Sequence, residues 1–63
     1  MTYKEAENFI KYGNVLVKHK YSGVFTIGVE RVGYITACNL IRRMHLKVQP
    51  ETSWDYLGIE VYE

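Results

Sequence analysis

The sequence predicts an α+β domain: two helices packed on one face of a three- to four-stranded antiparallel sheet, with a short third helix before the last strand. Three observations predict it. Residues 2–13 place apolar side chains at helical spacing. Residues 15–29 form two β-branched and aromatic runs around a glycine-containing turn. Residues 36–48 then return to helical spacing.

The first helix starts at Thr2, because Thr2 and Glu5 have the spacing at which a hydroxyl and a carboxylate each satisfy a backbone N–H that the first turn leaves unpaired. Tyr3, Ala6, Phe9 and Ile10 form one apolar stripe. Glu7 and Lys11 make an i, i+4 pair on the polar side, and Gly13 suits the left-handed residue that ends a helix. Val15–Lys20 and Val24–Val29 follow as strands, joined by the three-residue connection Tyr21-Ser22-Gly23. Val15, Val17 and His19 share one face of the first strand. In the second, Phe25, Ile27 and Val29 oppose Thr26, Gly28 and Glu30. A turn at Glu30-Arg31 and a short third strand over Val32–Ile35 would make a meander, with Gly33 weakening that strand.

From Thr36 the period changes. Ala37, Leu40, Ile41, Met44 and Val48 fall on one side of a second helix ending near Leu46, with Asn39, Arg42, Arg43 and Lys47 on the other. Pro50 and Glu51 suit a short third helix that stops at Gly58, and Ile59–Tyr62 closes the chain as a strand. The expected core is Phe9, Ile10, Val15, Val17, Phe25, Ile27, Val29, Leu40, Ile41, Met44, Leu57, Ile59 and Val61.

A chain of 63 residues has room for one domain, residues 1–63, and a core of that size seldom supplies more than roughly 3–5 kcal/mol. One cysteine, Cys38, closes no intrachain disulfide, so stability rests on packing, within the chain or across a homodimer. The lone thiol, the lack of an Asn-x-Ser/Thr acceptor and the lack of an apolar N-terminal run point to the cytoplasm. No apolar stretch approaches the roughly 18 residues of a membrane span. Charge is unevenly placed: residues 11–47 hold seven Lys and Arg against Glu30 alone, whereas residues 48–63 hold Glu51, Asp55, Glu60 and Glu63 with no cation. Either the acidic end folds back beside the basic middle and neutralises it, or a basic face stays free for an acidic partner.

Catalysis finds little support. His45 lies seven residues beyond Cys38, about 10 Å along a helix, too far for a nucleophile–base pair, and His19 could meet Cys38 only through tertiary packing. Glu5 and Glu7 point to different sides of their helix, and Glu60 and Glu63 to different faces of a strand, so neither forms an acid–base pair. Gly23, Gly28 and Gly33 are regularly spaced, but no Gly-Lys-Ser/Thr follows to hold phosphate. Cys38, His19 and His45 lack zinc-site spacing. No catalytic, cofactor or metal residue is therefore expected.

The segment ITACNLIRRMHLKVQPETSWDYLG, residues 35–58, resembles the helix-turn-helix pattern of small bacterial and phage DNA-binding proteins. Ala37 and Leu40-Ile41 match its first helix, Leu46-x-Val48 its turn, and Pro50-Glu51-Thr52 the opening of its second. It departs from the pattern in having His45 or Lys47 where the turn glycine usually stands, and Glu51 and Asp55 with no cation on the would-be recognition helix. The resemblance implies nucleic-acid binding, with phosphate contacts from Arg42, Arg43 and Lys47; separately, Tyr21 with Lys18, His19 and Lys20 before it could stack on a single strand.

Protein binding is the favoured expectation. Six tyrosines and one tryptophan are many for this length, and Tyr12, Tyr21, Trp54, Tyr56 and Tyr62 fall at element ends or on a mixed face, where a ring is half exposed and can anchor an interface. The strand edges at Val15–Lys20 and Ile59–Tyr62 offer a second route, by strand addition. The expected function is a non-enzymatic adaptor, inhibitor or modulator acting on a larger host or defence protein, of the kind that phages and mobile elements carry.

Overall fold

The computed structural model describes residues 1–63, the side chain of Asp55 excepted. The chain forms α1 (Tyr3–Lys11), β1 (Leu16–His19), β2 (Val24–Ile27), β3 (Glu30–Val32), α2 (Tyr34–Arg43), a single 3-10 turn (Asp55–Leu57) and β4 (Ile59–Tyr62). The four strands make one antiparallel sheet in the order β3-β2-β1-β4, with both helices on the same side.

The capping box forms as the sequence predicts: the Glu5 N–H donates to Thr2 Oγ1 at 3.3 Å, and the Thr2 N–H donates to the Glu5 carboxylate at 3.3 Å. That hydrogen bonding to Thr2 holds the Glu5 carboxyl below its ordinary 4.5. Both helices end alike. After α1, Gly13 takes φ 102° and the N–H groups of Gly13 and Asn14 return to the carbonyls of Ile10 and Phe9. After α2, His45 takes φ 54°, the Leu46 N–H returns to the Ile41 carbonyl at 3.0 Å, and the Leu46 side chain is buried there. Only the first of these stops carries the glycine by which it can be read.

The β1–β2 register differs from the expected one by a single residue. A three-residue turn would leave Lys20 opposite Val24 and place Val17 beside Ile27. Instead Lys20 leaves the ladder and donates its N–H to the Gly58 carbonyl at 2.7 Å, the turn closes through Gly23 N–H to His19 O at 2.7 Å, and His19 pairs with Val24. Because side chains alternate, one step exchanges the faces of a whole strand. Leu16 and Lys18 therefore face the helices with Ile27 and Phe25, while Val17 and His19 lie on the other side with Thr26 and Val24.

The helix-side core consists of Ala6, Leu16, Phe25, Ile27, Val32, Ala37, Leu40 and Leu46, with Tyr3, Ile10, Ile41, Met44 and Tyr62 packed around it. Phe25, Ile27 and Leu40 are core residues as expected, and Val61 is buried too, on the far face. Val15, Val17, Ile10, Ile41, Met44 and Ile59 are half-buried. Phe9, Val29 and Leu57 are exposed instead of buried. Val29 sits in the β2–β3 turn, which falls two residues earlier than Glu30-Arg31, so β3 begins at Glu30 and α2 at Tyr34, before Thr36.

After α2 the chain runs along the outer edge of β4. Lys47 and Glu63 exchange backbone hydrogen bonds at 3.0 and 3.1 Å, Gln49 N–H donates to Val61 O, Ser53 Oγ accepts from Val61 N–H, and Trp54 pairs with Ile59. Pro50-Glu51-Thr52 is a turn, and the expected third helix is reduced to its last three residues. The helix-turn-helix pattern therefore lacks its second helix. Nor are the two expected strand edges open, since β1 is central and β4 is covered by residues 47–54; β3, three residues long, is the remaining edge. Among the described residues no helix is long and apolar enough to cross a membrane.

Candidate protein-docking surface

The fold gathers three of the five aromatic residues singled out in the sequence at one end of the sheet. Tyr21 occupies the β1–β2 turn and is 82% exposed, with its ring laid over Gly58 so closely that a Cβ at 58 would collide with it. Gly58 has φ 68°, a conformation in which a side chain is disfavoured anyway. The rings of Trp54 and Tyr56, 46% and 75% exposed, lie 5.6 Å apart between centroids and tilted by 38°, and exposed Leu57 follows them. The Lys20–Gly58 backbone hydrogen bond ties this end together.

The other two lie elsewhere. Tyr12 caps α1 and is exposed, beside a shallow groove of about 210 Å³ that it lines with Glu5, Asn8 and Phe9. Tyr62 is half-buried on the helix side, its ring 6.3 Å from that of Phe25 and its hydroxyl donating to Glu60 at 3.3 Å. Burial first, then the neighbouring Glu60 charge, pushes the Tyr62 phenol above its ordinary 10.0.

Beyond the aromatic end lies the sheet face that carries no helix. Register places two rows of side chains on it: Trp54, Ile59, His19 and Val24 in one, Val61, Val17, Thr26 and Arg31 in the other. His19 Nε2 lies 3.2 Å from Thr26 Oγ1. Glu30 and Glu60 pair with Ile27 and Lys18, which puts both strand carboxylates on the opposite, helix-side face.

The five cations named for nucleic acid are distributed rather than gathered. Lys18 lies on the helix side, its ammonium 5.9 Å from the centre of the Phe25 ring, and Glu60 is its cross-strand neighbour. Lys20 is in the β1–β2 turn. Arg42 donates to Asn39 at 2.9 Å and Arg43 sits 5.3 Å over the Tyr3 ring, both at the end of α2. Lys47 exchanges backbone hydrogen bonds with Glu63. The acidic end thus lies beside the basic middle at Glu60 and Glu63; the Asp55 carboxylate lies outside the described side chains.

His19 is on the helix-free face whereas Cys38 is exposed on α2, so the sheet separates thiol from imidazole. Among the described residues no group of three or more His, Cys, Asp or Glu converges as metal ligands do. Sequence reasoning missed Leu57 and the helix-free face, because both follow from the β1 register and from the path of residues 47–54. Comparison with family models, curated proteins and solved structures gives no match.

Proposed function

We propose that this chain is a non-enzymatic protein-binding module, an adaptor or inhibitor that docks on a larger protein through Tyr21, Trp54, Tyr56 and Leu57. The observation that carries the reading is the gathering of three exposed aromatic rings at one end of the sheet, two of them in contact. Such rings bury large area at small cost in rotamer entropy, which is why they anchor interfaces. The backbone beneath them is held by the Trp54–Ile59 and Lys20–Gly58 hydrogen bonds, so little ordering remains for a partner to impose.

The test is partner capture with single alanine variants. Trp54→Ala and Tyr56→Ala should each weaken capture about tenfold or more, as an anchor loss of roughly 1.4 kcal/mol implies, while Tyr12→Ala leaves it unchanged. Equal capture by all three variants refutes the reading. Nucleic-acid binding through Lys18, Lys20, Arg42, Arg43 and Lys47 is the alternative, and it is less supported because those cations are spread over β1, the β1–β2 turn, the end of α2 and the stretch after it, with Lys18 and Lys47 at backbone positions opposite Glu60 and Glu63. Affinity for a DNA or RNA oligonucleotide that falls steeply with salt would favour it.

A further inference from the structure

We infer that the helix-free sheet face seats an amphipathic helix of the protein partner, one with an apolar stripe and carboxylates along its flank, so that the complex has a third layer. The inference rests on the protein-binding reading and names the chemistry of the partner. Its ground is the composition of the face. The half-buried Val17, Val24 and Ile59 form its apolar floor around the buried Val61, Trp54 closes one end, His19 lies on β1, and Thr26 and Arg31 lie on β2 and β3. Arg31 is exposed, and the two strand carboxylates that could neutralise it, Glu30 and Glu60, are on the other side of the sheet. The face is therefore apolar with an exposed cation, Arg31, at its β3 margin, and the complement to that margin is anionic.

A helix fits better than a strand. The outer edge of β4 already pairs with residues 47–49 and 54, and β3 offers three residues, so strand addition gains few backbone bonds. An extended peptide laid on the face instead would leave its own N–H and C=O groups facing valine and isoleucine without partners, whereas a helix satisfies them internally. Five chain positions across, from Trp54 to β3, span about 19 Å at roughly 4.8 Å per strand, room for about three helical turns. A second copy presenting the same face is the competing occupant, which sedimentation distinguishes.

Trp54, the only tryptophan, lies on the face and reports binding by its emission. Three probes are titrated into the full chain: a synthetic amphipathic helix with a leucine stripe and glutamate flanks, the same peptide with lysine flanks, and oligo-dT. The glutamate peptide should shift the emission saturably and bind about threefold or more tighter than the lysine peptide, the range that an exposed charge contact reaches. Arg31→Glu, a change at an exposed edge position whose folding is checked by circular dichroism, should reverse that preference. Binding by neither peptide, a preference unmoved by Arg31→Glu, tighter binding of oligo-dT, or an emission change that tracks self-association in sedimentation each overturns the inference. If capture of a partner still depends on Trp54 and Tyr56 in those cases, the protein-binding reading stands and the helical, acid-flanked partner alone is wrong.

Discussion

Truncating Leu16 and Val17 separately tests the register on which every statement about the two faces depends. Leu16 is fully enclosed between the sheet and both helices, while Val17 is half-buried on the helix-free face. Leu16→Ala removes a side chain from a closed core and leaves a cavity, for which about 3 kcal/mol is a central expectation. Val17→Ala removes two methyl groups from a surface open on one side, worth at most about 1 kcal/mol at roughly 0.8 kcal/mol per fully buried methylene. In a domain whose core supplies roughly 3–5 kcal/mol, the first change consumes most of the stability and the second a fraction. With a urea slope near 1 kcal/mol per molar, the midpoint should fall by about 3 M for Leu16→Ala and by 1 M or less for Val17→Ala. Urea titration followed by Trp54 emission and far-ultraviolet circular dichroism measures both. A Val17→Ala loss equal to or greater than that of Leu16→Ala refutes the register, and with it the assignment of His19, Thr26 and Arg31 to the free face.

His45→Gly should raise the urea midpoint, by an amount reflecting about 0.5–1 kcal/mol, because glycine relieves the positive φ of 54° that a side chain adopts at a cost. Gly58→Ala should cost about 2 kcal/mol from the φ of 68° together with the displaced Tyr21 ring; in a Tyr21→Ala background the loss should shrink, and an unchanged loss would show that the ring contact contributes nothing. Thr2→Ala should cost about 1 kcal/mol of cap. Because Glu5 is held below its ordinary 4.5, its contribution is complete above that value and lost as pH falls through the lowered folded value, so acid destabilisation should be shallower in Thr2→Ala, measured by urea midpoints down the acid range. Tyr62 gives the opposite sign. With its phenol raised above 10.0, stability is complete below that pH and declines as pH rises through the raised folded value. An ultraviolet titration of the six tyrosines should show one late step that Tyr62→Phe removes.

Much of the architecture is legible in the sequence because it is specified locally. Thr2 and Glu5 mark the start of α1 through groups three residues apart, Gly13 marks its end by its missing Cβ, and the return to helical spacing at residue 37 announces α2. Two points are not marked in this way. β1 reads Leu-Val-Lys-His, with an apolar residue on each face, so alternation alone does not say which side meets the helices. The stretch 47–54 carries proline and an N-terminal carboxylate, signals that suit a helix as well as a turn, and nothing local announces that its backbone is claimed by Val61, Glu63 and Ile59.

Those two points decide the proposed docking surface. From the sequence alone follow the two helices on an antiparallel sheet, the wealth of aromatic residues and the spacings that keep the reactive side chains apart along the chain. Tertiary structure chose between two registers when the Gly58 carbonyl captured the Lys20 N–H, 38 residues away along the chain, a distance over which no sequence pattern operates. The register that accompanies this bond turns Val17 and His19 outward, and the pairing of residues 47–54 with β4 brings Trp54 beside them. The physical reason is that a strand contributes both its faces to the sequence in alternation, and only contacts between distant segments settle which face is covered.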